Sequence, residues 1–153
     1  MRLGLTLAWR TQQAILWITR RMTVPLLCFD LIQGRSEDQI KKILDATHEV
    51  LIQSFAVPKR DRYQIVREHA PSRMIVEDSG LGIVRTPNML VLQVTTRPRS
   101  RAMKQAFYSS LVEKLDAVCG IASSDVLVTF VTNTDEDWSF GLGALNSSPV
   151  SFS

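Results

Sequence analysis

The chain repeats its own pattern of apolar and polar residues at a shift of 64 residues, without a gap. At this shift Pro25–Ile32 falls on Met89–Thr96, and Asp61 falls on Asp125. Few aligned residues are identical, but a run of strand-like apolar residues opens each copy, and a short polar break follows it. A chain of 153 residues is long enough for one domain with a sizeable core. The repeat therefore predicts a single domain made of two similar halves.

Each copy predicts a β-α-β unit. The first helix is predicted over Glu37–Phe55, where Ser36 and Gln39 form a capping box and apolar residues recur along one face. The second helix is predicted over Arg101–Val118, again with one apolar face. The predicted strands are Leu26–Phe29, Tyr63–Glu68, Leu90–Thr95 and Val126–Thr132, and a short further strand is predicted over Arg73–Glu77 between the copies.

Two such units predict an α+β fold, a four-stranded sheet with both helices on one face. The opposite face of this sheet then needs a cover. In a chain of this size, other copies of the same chain are the economical cover, so we expect a homo-oligomer.

The positive charge of the chain is concentrated at its beginning. Residues 1–24 hold four arginines and no acidic side chain, so their net charge is +4. Because the whole chain has a net charge of +3, the remaining residues carry −1. A nearly neutral domain does not have the basic surface of a nucleic-acid-binding protein, and we expect no nucleic-acid partner.

Residues 1–24 therefore form an extension distinct from a domain over residues 25–153. An Arg-rich, acid-free segment with interspersed apolar residues is typical of an organelle transit peptide or a loose amphipathic helix. A misassigned start, with Met22 as a later first residue, is a third interpretation. The apolar runs are too short for a transmembrane segment. We expect a cytoplasmic protein, or a mitochondrial one if the extension is a transit peptide.

Cysteine and histidine do not predict a metal site. Cys28 and Cys119 lie in apolar surroundings without metal-ligand spacing, and we expect both to be reduced core residues. His48 and His69 are isolated in the sequence, and His48, on the first predicted helix, is expected to be partly buried or at the surface.

Arg97 and Arg99 are candidates for an anion clamp. They follow an apolar strand and precede a helix, and a guanidinium can hold a carboxylate in two-point contact. Ordinary surface arginines in a turn are the alternative. Arg35 is the repeat counterpart of Arg99, which favours a structural role for Arg99 at the strand–helix junction. The counterpart of Arg97 is Gln33, so the repeat offers no structural reason for Arg97.

A duplicated β-α-β unit with a proline opening its first strand resembles the tautomerase superfamily. Within that superfamily the chain is similar to malonate semialdehyde decarboxylases. The similarity covers residues 25–141 and does not include residues 1–24. The stretches that carry it are Pro25–Leu27, Phe29–Ile32, Arg60–Gln64, Met74–Asp78, Arg97–Ser100, Val131–Asn133 and Asp137–Gly141.

The resemblance implies a homotrimer without metal or organic cofactor that removes CO₂ from a small 3-oxo acid, with hydration or tautomerisation as related activities. By position, it implies a catalytic proline at Pro25 and a carboxylate at Asp61. It also implies that Arg97 and Arg99 form the arginine pair. An apolar pocket wall is implied at Trp138 and Phe140, although both are equally compatible with a core or interface role. Asp61 has a counterpart in Asp125, so a role in closing a turn is the alternative for it.

Pro25 departs from the family pattern because 24 residues precede it. A terminal proline is a secondary amine that exchanges protons, whereas an internal proline nitrogen is an amide and cannot. Either cleavage exposes Pro25, or the assigned start is wrong, or the protein is a silent family member that binds a small carboxylate or a partner.

Overall fold

The computed structural model describes residues 25–78 and 80–143. Two α-helices and four β-strands make up most of this part of the chain. In chain order they are β1 (Leu26–Ile32), α1 (Glu37–Phe55), β2 (Tyr63–His69), β3 (Leu90–Thr96), α2 (Arg101–Cys119) and β4 (Val126–Thr132). Single 3₁₀ turns lie at Pro71–Arg73, Ser123–Asp125 and Asp135–Asp137.

The four strands form one sheet in the order β2-β1-β3-β4. Each copy of the repeat contributes a parallel pair, β1 with β2 and β3 with β4, and the two copies join through the antiparallel pair β1 and β3. Both helices contribute to the same core against one face of the sheet and lie next to each other. The predicted α+β fold with duplicated β-α-β units is confirmed.

Helix boundaries follow from the caps that the sequence supplies. Ser36 caps α1 in the predicted capping box with Gln39, and Ser100 caps α2 through its side-chain oxygen. The helix α2 ends at Cys119, and its C-cap residue Gly120 has a φ of +64°, the left-handed conformation that glycine adopts without strain. The predicted helix ends therefore agree with the structure to within one residue.

The core lies between the helices and the helix-facing side of the sheet. Burial of each large apolar side chain there contributes roughly 1.5–3 kcal/mol. The fully buried core residues include Leu27, Phe29 and Leu31 of β1, Leu90, Leu92 and Val94 of β3, and Ile43, Leu51, Phe107, Leu111 and Leu115 of the helices.

The other face of the sheet retains exposed apolar side chains. Gln64 and Val66 of β2 face the helices, because Gln64 donates to the Leu44 carbonyl and Val66 packs against the core. Strand alternation therefore directs Tyr63 and Ile65 to the open face, where they are 43% and 44% exposed. In the described residues no helix is long and apolar enough to cross a membrane.

Two expectations were wrong, one about the segment between β2 and β3 and one about His48. Arg73–Glu77 is not a strand, because none of the strands of the sheet pairs with it; a 3₁₀ turn ends at Arg73 instead. The Nε2 of His69, which is isolated in the sequence, lies 2.7 Å from a carboxylate oxygen of Asp30 on the neighbouring strand. His48 is buried rather than partly exposed. Cys28 is buried, as expected, and Cys119 is half-buried.

Equivalent turns lead into β2 and β4. The Asp61 amide donates to the Pro58 carbonyl at 3.0 Å, and the Asp125 amide donates to the Ala122 carbonyl, its repeat equivalent, at 2.9 Å. The Asp125 carboxylate is almost completely buried and accepts hydrogen bonds from the Thr86 amide at 2.7 Å and from the Thr86 hydroxyl at 2.6 Å. Asp125 thereby fastens the segment between β2 and β3 to the start of β4.

Replacing Asp125 with alanine should lower the free energy of unfolding by roughly 2–3 kcal/mol, because the two hydrogen bonds from Thr86 to the buried, charged carboxylate are lost. Urea denaturation of the full chain measures this difference. The control is Asp116→Ala on the exposed side of α2, expected to change stability by less than about 0.5 kcal/mol. Equal effects of the two substitutions would contradict the role of Asp125.

Candidate active site

Three of the predicted site residues come from segments that meet at one end of the sheet. Leu26, at the start of β1, pairs with Thr95 near the end of the antiparallel β3 and with Tyr63 at the start of the parallel β2. The chain before β1, the chain after β3 and the chain before β2 therefore lie side by side. These segments carry Pro25, Arg97 and Asp61 respectively.

Arg97 forms an ion pair with Asp135. Its Nη2 lies 2.5 Å from Asp135 Oδ2, and both side chains are only one-fifth exposed. Asp135 opens the 3₁₀ turn after β4, and the Asn133 amide donates to the Thr96 carbonyl at 3.0 Å, so this segment lies along the end of β3. A guanidinium has five N–H donors. The pair with Asp135 fixes Arg97 and leaves other donors for an anionic ligand.

Arg99 lies over the core beside Arg97. Its Nε and Nη2 each lie 3.3 Å from the Thr96 hydroxyl, and its guanidinium carbon lies 4.9 Å from the centre of the Phe55 ring. Burial, and after it the charge of Arg97, lower the pKa of the Arg99 guanidinium below its ordinary value. Both causes favour the arrival of an anion, since a negative group restores favourable interactions to buried positive charge.

The repeat counterpart of Arg99 also contacts the residue three positions before it. Arg35 donates to the Ile32 carbonyl at 3.2 Å and to the carbonyl and side-chain oxygens of Asn88 at 2.7 and 2.6 Å. Arg35 therefore fastens the end of β1 to the start of β3. Arg35 therefore has the predicted role at a strand–helix junction. Arg99 makes the corresponding contact with Thr96, the residue three positions before it, at 3.3 Å.

Asp61 differs from its counterpart Asp125 in what its carboxylate does. Asp61 is 7% exposed, and among the described residues its side chain has one charged contact, at 3.8 Å to Arg60 Nε. The Asp125 carboxylate, in contrast, is used by Thr86. Turn closure, which Asp61 shares with Asp125 through the backbone, therefore does not account for the Asp61 carboxylate.

An aromatic group lies beside this end of the sheet. The rings of Trp138 and Phe140 stack with centroids 5.4 Å apart, and the Phe140 ring lies 5.9 Å from that of Tyr63. Tyr63 opens β2, two residues after Asp61. The three rings form an apolar surface next to the turn that carries Asp61.

Tyr63 and Asp135 were not among the residues singled out in the sequence. Tyr63 could have been found, because alternation along a strand places residues two apart on the same side. No sequence signal connects Asp135 to Arg97 across 38 positions. In residues 25–78 and 80–143, no group of three or more His, Cys, Asp or Glu side chains is arranged to hold a metal ion.

Family models match both halves of the domain. A model described as tautomerase enzyme matches residues 61–141, and another with the same description matches residues 25–83. The probable tautomerase YrdN of Bacillus subtilis (strain 168) is 53% identical over 120 residues, which cover 78% of this chain and 93% of that protein. The probable tautomerase YusQ of the same organism is 30% identical over 121 residues, which cover 78% of this chain and 95% of that protein.

Solved structures agree with these matches. A malonate semialdehyde decarboxylase, studied as the wild type, as a variant with alanine in place of its first-position proline and in an inactivated form, is 48% identical. The match covers 78% of this chain and 92% of that one, with a TM-score of 0.75. A symmetric trimer of fused 4-OT, 23% identical over 79% of this chain and 95% of that one, has a TM-score of 0.65 and shares the fold. This chain therefore belongs to the tautomerase superfamily and resembles malonate semialdehyde decarboxylase.

Proposed function

We propose that this protein is a cofactor-independent decarboxylase of small 3-oxo acids such as malonate semialdehyde, active when Pro25 is its first residue. The observation that carries the proposal is that the segments with Pro25, Asp61 and the two arginines lie side by side at one end of the sheet. The 48% identical enzyme described by its decarboxylase and hydratase activities supports the choice of reaction.

Arg97 and Arg99 bind the substrate carboxylate. Arg97, held by Asp135, offers donors in a fixed orientation, and Arg99 adds a second, partly buried positive charge. Holding the carboxylate turns the bond that will break into line with the carbonyl π system, which lowers the barrier by positioning.

The reaction breaks the bond between the carboxylate carbon and the adjacent methylene carbon. CO₂ leaves, and the electron pair of the broken bond delocalises onto the aldehyde oxygen as an enolate. A protonated Pro25 amine beside that oxygen stabilises the developing negative charge. A proton delivered to the methylene carbon then completes the aldehyde product.

Asp61 and the aromatic residues adjust the surroundings of the amine. A carboxylate near a secondary amine favours the protonated form of that amine. Orienting the proline or a water molecule is the alternative role for the Asp61 carboxylate. Trp138 and Phe140 limit the access of water, and a drier pocket favours the loss of the carboxylate charge.

The proposed catalytic domain is residues 25–153. One tautomerase match begins at residue 25, and 78% of this chain corresponds to more than nine-tenths of each of two relatives. The open face of the sheet, with Tyr63 and Ile65 exposed, is proposed as the contact between subunits of a homotrimer. The trimeric relative with the same fold supports this arrangement.

A second candidate function follows from the position of Pro25 in the sequence. With 24 residues before it, its nitrogen is an amide, which neither donates nor accepts a proton in the reaction. In that form the protein would be a silent trimer that binds a small carboxylate through Arg97 and Arg99.

A protein beginning at Pro25 should convert 3-oxopropanoate to acetaldehyde and CO₂, and Pro25→Ala in that protein should abolish turnover. Its activity should fall as the pH rises through the pKa of the Pro25 amine, because only the protonated amine stabilises the enolate. Proton NMR of the aldehyde products measures both effects. Full turnover by Pro25→Ala would refute the mechanism. Carboxylate binding without turnover in every form of the protein would favour the silent trimer.

Arg97→Gln installs the residue found at the equivalent repeat position, Gln33. It should raise the KM for 3-oxopropanoate roughly 10- to 100-fold, because a charge-assisted contact to the carboxylate is lost. The matched control is Arg101→Gln at the exposed start of α2, which should leave the KM within about twofold. Steady-state kinetics compare the two variants, and equal KM values would remove Arg97 from the binding site.

A further inference from the structure

The histidine buried in α1 is joined to the turn that carries Asp61. His48 is 8% exposed, and its Nε2 lies 2.9 Å from the carbonyl oxygen of Lys59. A carbonyl oxygen only accepts, so Nε2 is the donor. Nδ1 is buried and has no hydrogen-bond partner among the described residues. Among the described residues, the bond to the Lys59 carbonyl is therefore the one hydrogen bond that the His48 ring makes.

Lys59 lies at the centre of a tight turn between α1 and β2. The Asp61 amide donates to the Pro58 carbonyl at 3.0 Å, and the Arg62 amide donates to the Arg60 carbonyl at 3.1 Å. The side chains of Lys59 and Arg60, at the tip of this turn, are exposed. The bond from His48 ties this tip to the helix two residues before Asp61.

The second half of the molecule holds the equivalent turn in a different way. The position equivalent to His48 is Val112, whose side chain has no hydrogen-bond donor. There the turn is held by the Asp125 carboxylate, which binds Thr86, and by Arg85, which donates to the Ser124 carbonyl at 2.7 Å. The Asp125 carboxylate therefore has a structural role, because both of its oxygens accept hydrogen bonds from Thr86.

We propose that His48 is a positioning residue, which fixes the turn through Lys59 so that the Asp61 carboxylate is available to the reaction. The two halves then solve the same structural problem with different groups: Asp125 anchors one turn, and His48 anchors the other. This inference rests on the proposed function for its catalytic consequence, but the anchoring itself has a test that does not depend on activity.

Amide hydrogen exchange of the full chain tests the anchoring. His48→Val introduces the residue of the equivalent position, and it should raise the exchange rate of the Asp61 amide about tenfold relative to the Asp125 amide. His48→Gln, which keeps an N–H donor near the position of Nε2, should leave this ratio within about twofold of the wild type. His48→Asn is too short to reach Lys59 and should behave like His48→Val, which supplies the test if the valine variant does not fold.

Val112→Ala is the matched control, because it removes side-chain volume at the repeat-equivalent position, on the other helix. It should leave the exchange ratio and kcat unchanged. In the protein that begins at Pro25, His48→Val should lower kcat about tenfold and leave KM within about twofold. The arginines that bind the substrate lie on other segments, so KM is spared. His48→Gln should restore kcat.

An unchanged exchange ratio in His48→Val and His48→Asn would overturn the anchoring, whatever the activity. A loss of kcat that His48→Gln does not restore would overturn the positioning role. If the wild type has no activity towards 3-oxo acids, the proposed function fails, and the exchange ratio still decides whether His48 anchors the turn.

Discussion

The antiparallel pairing of β1 with β3 holds the two halves of the molecule together and determines which segments lie at each end of the sheet. It brings the beginning of one repeat beside the strand end of the other. A functional site at that end of the sheet can therefore contain a group from before β1 and two arginines from after β3. The parallel partner β2 adds the turn with Asp61. No single β-α-β unit would bring these groups together.

Duplication also creates an equivalent site at the opposite end of the sheet, and the structure shows how the two ends differ. At the end with Arg35, Asn88 and Thr86, polar side chains bind one another and join the segment between β2 and β3 to the sheet. At the end with Pro25, Arg97 pairs with Asp135, and Asp61 makes one long ion pair within the described chain. Polar groups satisfied by their neighbours stabilise a fold, whereas groups with remaining donors or acceptors are available to a ligand.

Much of the fold was predictable because apolar periodicity and caps are local properties of the sequence. Both helices and all four strands of the sheet lie where these patterns predicted them. Arg73–Glu77 shows the limit, because alternation indicates a strand only where another strand is available to pair with it. The site was less predictable for a related reason. Asp61 and Asp125 are the same residue in equivalent turns, and their difference depends on Thr86, 39 residues away from Asp125. The pair of Arg97 with Asp135 and the bond from His48 to Lys59 are likewise contacts between segments that no local pattern connects.

In the proposed mechanism a proline amine lies beside an arginine clamp. The chain has six prolines, and only one at the first position of a chain is an amine, so ¹⁵N-proline labelling of the protein that begins at Pro25 isolates one titrating signal. NMR titration of this signal with and without malonate measures the pKa of the amine beside a bound carboxylate. Malonate should raise this pKa, because a neighbouring negative charge stabilises the protonated amine, and Arg97→Gln should abolish the change. A signal whose titration is the same with and without saturating malonate would contradict the proposed mechanism.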